Sequence, residues 1–284
     1  MSLRHILISV VFALSFSSCI SRKIVEQDIF FPVKLTNLSG PLQLEEANFM
    51  TADGLQINAW FVKHPKARGT IIYCGGNGFN LHHHLTNQII NTLTRFNMNI
   101  LLFDYRGYGK SEGAPTLVGI LKDGDAAWQY LKSRSDVDSS RIVLYGHSLG
   151  TFVALHLGIT SPVLAVVLQS PMTNAPEMKD ALIRANVPWY ARWFVRVDLD
   201  STVLKLDNLT PISRLSVPLL IMSGEKDALT PIEMGNKLYK SAESQRKRFE
   251  VIPRADHDDF FFTHDIRKEQ FHKIINEFFD SVLY

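Results

Sequence analysis

Seven apolar, β-rich runs punctuate this chain of 284 residues, at about 56–62, 69–74, 99–104, 141–146, 164–169, 217–223 and, more mixed in character, 247–252. Helical patterns lie between most of them, at about 81–96, 116–134, 149–158, 231–243 and 266–282. Near-continuous apolar strands are buried on both faces, and strands separated by helices are joined by crossovers. The pattern therefore calls for an α/β fold with a mainly parallel sheet covered on each side. The start of the chain departs from it. The runs near 44–50 and 56–62 are joined through Ala52-Asp53-Gly54 with no helix between them. An Asp-Gly turn there predicts an antiparallel hairpin at the sheet edge. The length suffices for one large domain with a well-filled core.

One segment interrupts the alternation. Residues 172–212 are too long for a plain connection and hold Trp189, Tyr190, Trp193 and Phe194 beside Arg192 and Arg196. We expect a helical lid insertion over the top of the sheet. On a helix, positions 189 and 193 share one face, as do 190 and 194, so these aromatics could cover an acyl chain while the arginines face anionic head groups. The plainer alternative is a structural cap.

The N-terminus has its own character. Arg4 and His5 precede an apolar run from Ile6 to Phe16, which ends in Ser17-Ser18-Cys19. The run is too short to span a bilayer but fits the core of a signal peptide. Small residues before a cysteine resemble the bacterial lipobox, with Phe16 where Leu is usual. Residues 1–18 are thus expected to be a lipoprotein-type signal peptide, Cys19 the lipidated residue, 19–40 a tether and 41–284 the folded domain. The corresponding location is the bacterial cell envelope, anchored by lipid to a membrane, with the outer membrane or periplasmic side favoured. Ordinary cleavage to a soluble periplasmic or secreted protein, or an uncleaved anchor, are the alternatives. The second cysteine, Cys74, closes an apolar strand and reads as a small buried hydrophobe without a disulfide partner. A formal charge of +2, with no dense basic run, excludes a nucleic-acid footprint. The oligomeric state is not legible.

The pattern Gly-x-Ser-x-Gly occurs twice, and context separates the copies. Gly146-His147-Ser148-Leu149-Gly150 follows the strand run Arg141–Tyr145 and precedes a helical run from Thr151 to Gly158. That is the strand–turn–helix setting of a nucleophile elbow, which presents the Ser148 oxygen outward at the N-terminal end of a helix whose free N–H groups favour negative charge. Gly109-Lys110-Ser111-Glu112-Gly113 also follows a strand, but Ala114-Pro115 comes next and no helix begins. Ser111 is therefore a loop residue. Gly109-Lys110-Ser111 imitates the end of a P-loop too, but Asp104 stands where that motif needs its leading glycine, which excludes phosphate binding.

A serine nucleophile needs a base, and the base an acid to orient it. On this type of elbow the acid and then the histidine follow later in the chain, on loops after strands. Asp227 lies in the turn after the run 217–223, with Glu225 as the fallback acid. His257 lies on the loop after 247–252, whereas His264 is near the start of the last helix and His272 inside it. The two oxyanion-hole donors are expected from the backbone N–H of Leu149 and from the glycine-rich loop Cys74–Gly78, at Asn77, with Gly76 and Gly78 as rivals. His82-His83-His84 invites a metal reading. Three consecutive residues on a helix point in different directions, so a surface at a helix start is expected instead, with no metal and no cofactor.

Leu101-Leu-Phe-Asp-Tyr-Arg-Gly-Tyr-Gly-Lys-Ser-Glu-Gly113, the Gly-His-Ser-Leu-Gly elbow, Gly224-x-x-Asp227 and Asp256-His257 together resemble the α/β-hydrolase superfamily over about residues 40–284. They look most like its membrane-associated branch of protein depalmitoylases, lysophospholipid lipases and bacterial relatives. That branch usually carries His-Gly-Asn at the oxyanion loop, where this chain has Gly75-Gly76-Asn77. The resemblance implies an eight-stranded, mostly parallel sheet and a serine hydrolase acting on a small acyl ester or thioester. Peptide hydrolysis of the serine aminopeptidase kind is the runner-up, and a non-catalytic binding module the third reading.

Overall fold

The computed structural model describes residues 20–34, 44–83, 85–261 and 266–283. Cys19, the apolar run before it, His84 and His264 lie outside the described residues. The strands, in chain order, are β1 (Ile20–Ile24), β2 (Leu44–Glu46), β3 (Phe49–Met50), β4 (Gln56–Ile57), β5 (Ala59–Val62), β6 (Thr70–Cys74), β7 (Asn99–Phe103), β8 (Ile142–His147), β9 (Ala165–Gln169), β10 (Val195–Leu199), β11 (Leu219–Gly224) and β12 (Lys247–Ile252). The helices are α1 (Thr86–Leu93), α2 (Leu117–Ser133), α3 (Gly150–Thr160), α4 (Ala175–Asn186), α5 (Leu209–Ile212), α6 (Ile232–Ser241) and α7 (Ile266–Leu283).

Eight strands form the central sheet in the order β12-β11-β9-β8-β6-β7-β5-β2. The first six are parallel, and β5 and β2 add antiparallel at the edge. The period of two along each strand divides the core. Ile72, Cys74 and Leu144 join the cluster that includes residues of α2, α3 and α6; Ile71, Tyr73, Val143 and Tyr145 join the one that includes residues of α1 and α7. The edge hairpin is present but broken. β3 and β4 pair with each other, β2 pairs with β5, and Ala47-Asn48 and Asn58 intervene. Among the described residues no helix is long and apolar enough to cross a membrane.

Two expectations need correction. The segment after Cys19 is not a free tether as far as residue 34. β1 pairs in parallel with β10, and Glu26 accepts a hydrogen bond from Leu117 N at the start of α2, 2.7 Å away. The 172–212 insertion is also only partly helical. Pro188 follows α4, and the residue before a proline is pushed out of helical conformation: Val187 has φ −114° and ψ 122°. The chain then makes a short 3-10 turn, Trp189–Phe194, and enters β10.

Candidate active site

The elbow at the end of β8 is built by steric exclusion. A Cβ on Gly146 would lie 2.7 Å from Gly150 O and 2.8 Å from Ala154 Cβ. A Cβ on Gly150 would lie 2.0 Å from Cys74 O, so neither position tolerates a side chain. Between them Ser148 takes the left-handed backbone conformation, φ 52°, which costs about 1–3 kcal/mol in a non-glycine residue. The surroundings hold it there. Ser148 N donates to Gln169 O on the neighbouring strand at 3.0 Å, and Ser148 O accepts from the Thr151 hydroxyl at 2.6 Å.

The other two residues arrive through strand order. β9 and β11 separate β8 from β12, so the loops after β8, β11 and β12 meet at the carboxyl ends of the strands, where open parallel sheets place their sites. The register Gly224↔Ile252 sets the loops carrying Asp227 and His257 side by side. His257 Nε2 lies 2.9 Å from Ser148 Oγ, and His257 Nδ1 lies 2.8 Å from Asp227 Oδ2. Asp227 Oδ1 accepts from the N–H groups of Leu229 (2.9 Å) and Thr230 (2.8 Å), and its Oδ2 accepts from the Thr230 hydroxyl (2.6 Å). The three expected residues therefore form one continuous hydrogen-bonded line. Glu225, the fallback acid, is turned away and accepts from Arg254 N.

The electrostatics polarise this line. Burial raises the pKa of Asp227, but the hydrogen bond and charge of His257, with the Thr230 hydroxyl and N–H, outweigh it and hold the carboxylate below its ordinary range. Burial lowers the pKa of His257, but the Asp227 hydrogen bond and charge, helped by Asp258 and Asp256, leave it above the ordinary imidazole value. His147 packs beside it with ring centroids 5.4 Å apart. Burial, reinforced by the charge on His257, pushes His147 down to about 4, so it is neutral near pH 7. Such a line can deprotonate the serine hydroxyl and keep the resulting imidazolium beside a carboxylate.

The glycine-rich loop after β6 lies where the oxyanion donors were expected. A Cβ on Gly76 would approach Ser148 Cβ to 3.4 Å and His147 Nδ1 to 3.0 Å. The Asn77 side chain acts as a strut. Its Oδ1 accepts from Phe31 N (3.0 Å) and from the Tyr108 hydroxyl (2.8 Å), and its amide donates to Ile29 O. Residues 29–34 thus strap this loop, and the strap extends to the next one through Gly109 N→Val33 O and Lys34 Nζ→Ser111 O.

Several other expectations resolve differently. Trp189, Tyr190, Trp193 and Phe194 are 74%, 63%, 88% and 59% exposed, so they form no enclosed apolar tunnel. The 3-10 turn after Pro188 is too short to present the buried stripe an α-helix would give. Arg192 is spent on the turn itself, donating to Val187 O and Arg184 O. Ser111, by contrast, is the loop residue expected; it is buried after β7, where its hydroxyl donates to Asp104 O and accepts from Asn58 N. His82 is buried against Trp60 rather than lying on a surface, because α1 begins only at Thr86. Among the described residues, His147, His257 and Asp258 are grouped with ligand atoms within 4.8 Å of one another, but His257 Nε2 is engaged with Ser148.

Sequence reasoning missed three supports. Thr230 holds Asp227, and its signal was the turn spacing of an acid followed three positions later by a hydroxyl residue. Ser170, with φ 48°, donates through its hydroxyl to His257 O at 3.1 Å. His147 was read only as part of the motif. The last two carry no local signal, because both act through residues distant in sequence.

Residues 65–214 and 207–262 match the family profile described as serine aminopeptidase, S33. The chain is 31% identical over 214 residues to an uncharacterised Mycobacterium tuberculosis protein, covering 74% of this chain and 70% of that one. It is 32% identical over 244 residues to the alpha/beta hydrolase domain-containing protein WAV2 of Arabidopsis thaliana, covering 81% and 76%. Among solved structures it resembles the Pyrococcus furiosus esterase Pf2001, with a TM-score of 0.73, 20% identity, and 90% and 99% of the two chains covered. At that identity the likeness speaks for the fold alone.

Proposed function

Because this chain belongs to the α/β-hydrolase family whose profile is described as serine aminopeptidase, S33, we infer that it hydrolyses carboxylic esters or thioesters through an acyl-enzyme on Ser148. The observation that carries this reading is the line Ser148 Oγ–His257–Asp227, at 2.9 and 2.8 Å, on a left-handed serine at the start of α3.

The steps follow from that line. Ser148 Oγ attacks the substrate carbonyl carbon while His257 Nε2 takes its proton. The carbonyl oxygen becomes an alkoxide held by the N–H of Leu149 and the N–H of Asn77. Collapse expels the alcohol or thiol, which leaves with the proton from His257, and the acyl group stays on Ser148. Water then attacks the acyl carbon, its proton passing to His257. The second collapse releases the acid and returns the proton to Ser148 Oγ. Asp227 holds His257 in the correct tautomer and offsets the imidazolium charge in both halves.

The family description, serine aminopeptidase, favours amide substrates as a second reading. Kinetics on p-nitrophenyl esters of increasing chain length beside aminoacyl-anilides separate the two. Turnover of esters alone supports the first reading, and turnover of anilides alone overturns it. For the nucleophile, Ser148→Ala is expected to abolish labelling by a fluorophosphonate probe. Retained labelling in that variant would refute the role of Ser148.

A further inference from the structure

β1 and β10 run parallel, and their register places Ile20 beside Val195. Parallel strands share an end. The residues that lead into β1 therefore enter where those that lead into β10 sit, and these are Trp189–Phe194. Paired strands are about 4.8 Å apart, so Ile20 starts beside Val195, the residue that follows Phe194. The end of the apolar segment Ile6–Phe16 and its Ser17-Ser18-Cys19 sequence thus lead to the part of the surface that carries four exposed aromatics.

Four large aromatic side chains in one six-residue turn, each more than half exposed, are unusual on a protein surrounded only by water. Tryptophan and tyrosine, with an apolar body and a polar handle, concentrate where hydrocarbon meets head groups. The turn is stiffened for such contact. Arg192 ties it to Val187 O and Arg184 O, and the rings of Trp189 and Tyr190 pack edge to face at 5.9 Å. Arg196, beside Ser21 on the next pair of the small sheet, keeps its side chain 76% exposed at the rim.

We propose that the Trp189–Phe194 turn is a bilayer-docking surface: an N-terminal anchor joined to the chain just before Ile20 holds the protein to the membrane, and the aromatic turn beside Ile20 seats the domain on the same leaflet. A single lipid chain holds a protein to a membrane only marginally, so a second apolar contact at the same point converts a loose tether into a fixed orientation. The shared end of β1 and β10 favours a bilayer over a second copy of the chain, because a dimer interface would have no need of the N-terminus at that spot. The proposal does not depend on the acyl-enzyme reading.

The test uses the full chain, reconstituted in phosphatidylethanolamine and phosphatidylglycerol vesicles whose acyl chains carry shallow bromine atoms. Of the four tryptophans, Trp60 and Trp128 are buried in the core, so quenching reads Trp189 and Trp193. The wild-type protein is expected to float with the vesicles with quenched, blue-shifted emission. Trp189→Ser/Trp193→Ser is expected to float as well, with its remaining emission unquenched and its near-ultraviolet circular dichroism consistent with an intact fold. Wild-type protein that floats without quenching would overturn the proposal, as would failure to bind vesicles at all. A blue shift that grows with protein concentration in the absence of lipid would also overturn it and assign the turn to self-association. The wild-type measurement decides the matter even if the variant misfolds.

Discussion

The Thr230 hydroxyl donates to the same Asp227 oxygen that faces His257 Nδ1, at 2.6 Å, and lies 3.2 Å from that nitrogen. Thr230 thus fixes the carboxylate from one side while the imidazole holds it from the other. Thr230→Val keeps the shape and removes the donor. A hydrogen bond to a charged group contributes about 1.5–3 kcal/mol, and part of it survives through the two N–H bonds to the other oxygen. We expect kcat/KM for p-nitrophenyl butyrate to fall by about tenfold. An unchanged value would remove Thr230 from the positioning of the acid.

The pH dependence follows from the opposed shifts of Asp227 and His257. Catalysis needs a neutral His257 Nε2, and the pKa of His257 is raised. Activity is therefore lost as pH falls through a midpoint above the ordinary imidazole value of about 6.5. The same raised pKa stabilises the fold fully below that ordinary value, and the contribution fades as pH rises through the folded one. Asp227→Asn should lower kcat by roughly four orders of magnitude and move the midpoint downward. A midpoint that stays in place would show that another charge sets it.

The glycine at the start of α3 is a stringent test of the elbow. Gly150→Ala drives a methyl group into the backbone carbonyl Cys74 O, with no flexible side chain to yield. Overpacking of this kind costs about 1–3 kcal/mol or more. We expect a lower urea midpoint and a loss of activity larger than the stability loss explains, because the displaced strand end carries the oxyanion loop.

Arg106 and Asp123 form a buried ion pair. The guanidinium donates to Asp123 Oδ1 and to both oxygens of Asp53, and Arg106 N donates to Asp123 Oδ2. Arg106→Leu leaves Asp123 buried without its cation and should cost about 3–5 kcal/mol in chemical denaturation. Arg106→Leu/Asp123→Leu should recover part of that loss. If the double variant is no better than the single, the pair is not the source.

For the N-terminus, Cys19→Ser is expected to block incorporation of labelled palmitate and to trap the precursor or release the protein from the membrane fraction. Globomycin should mimic it. Palmitate that is never incorporated into the wild-type chain would refute lipidation at Cys19.

Most of the sheet was legible because buried parallel strands are continuous apolar runs: the runs at 69–74 and 99–104 lie within one residue of β6 and β7. That Ser148, Asp227 and His257 meet in one hydrogen-bonded line was legible because chain order and strand–loop context constrain them together. β1 was not. Ile20-Ser-Arg-Lys-Ile24 has neither alternation nor a continuous apolar run, and its partner is far along the chain. Val195-Arg-Val-Asp-Leu199 does alternate with period two, a strand signal obscured by the aromatic run before it, which was read as helix. The strap at 29–34 was hidden for a different reason. Apart from Lys34 Nζ, it is held through its own backbone groups, by the side chains of Asn77 and Tyr108 and by Gly109 N, so its sequence carries no pattern.

The pairing of β1 with β10 has a consequence for the order in which the molecule assembles. β1 is the first described strand to leave the ribosome, and its partner follows only after most of the catalytic domain. A long-range pairing of that kind forms late, since the intervening loop must first be closed. Until Leu199 is available, the backbone donors and acceptors of Ile20–Ile24 stand open as an unpaired edge. A holdase that covers Ile20–Ile24 during synthesis is expected to raise the folded yield, which refolding with and without one would measure. A chain truncated between α4 and β10 would expose that edge permanently and aggregate through it.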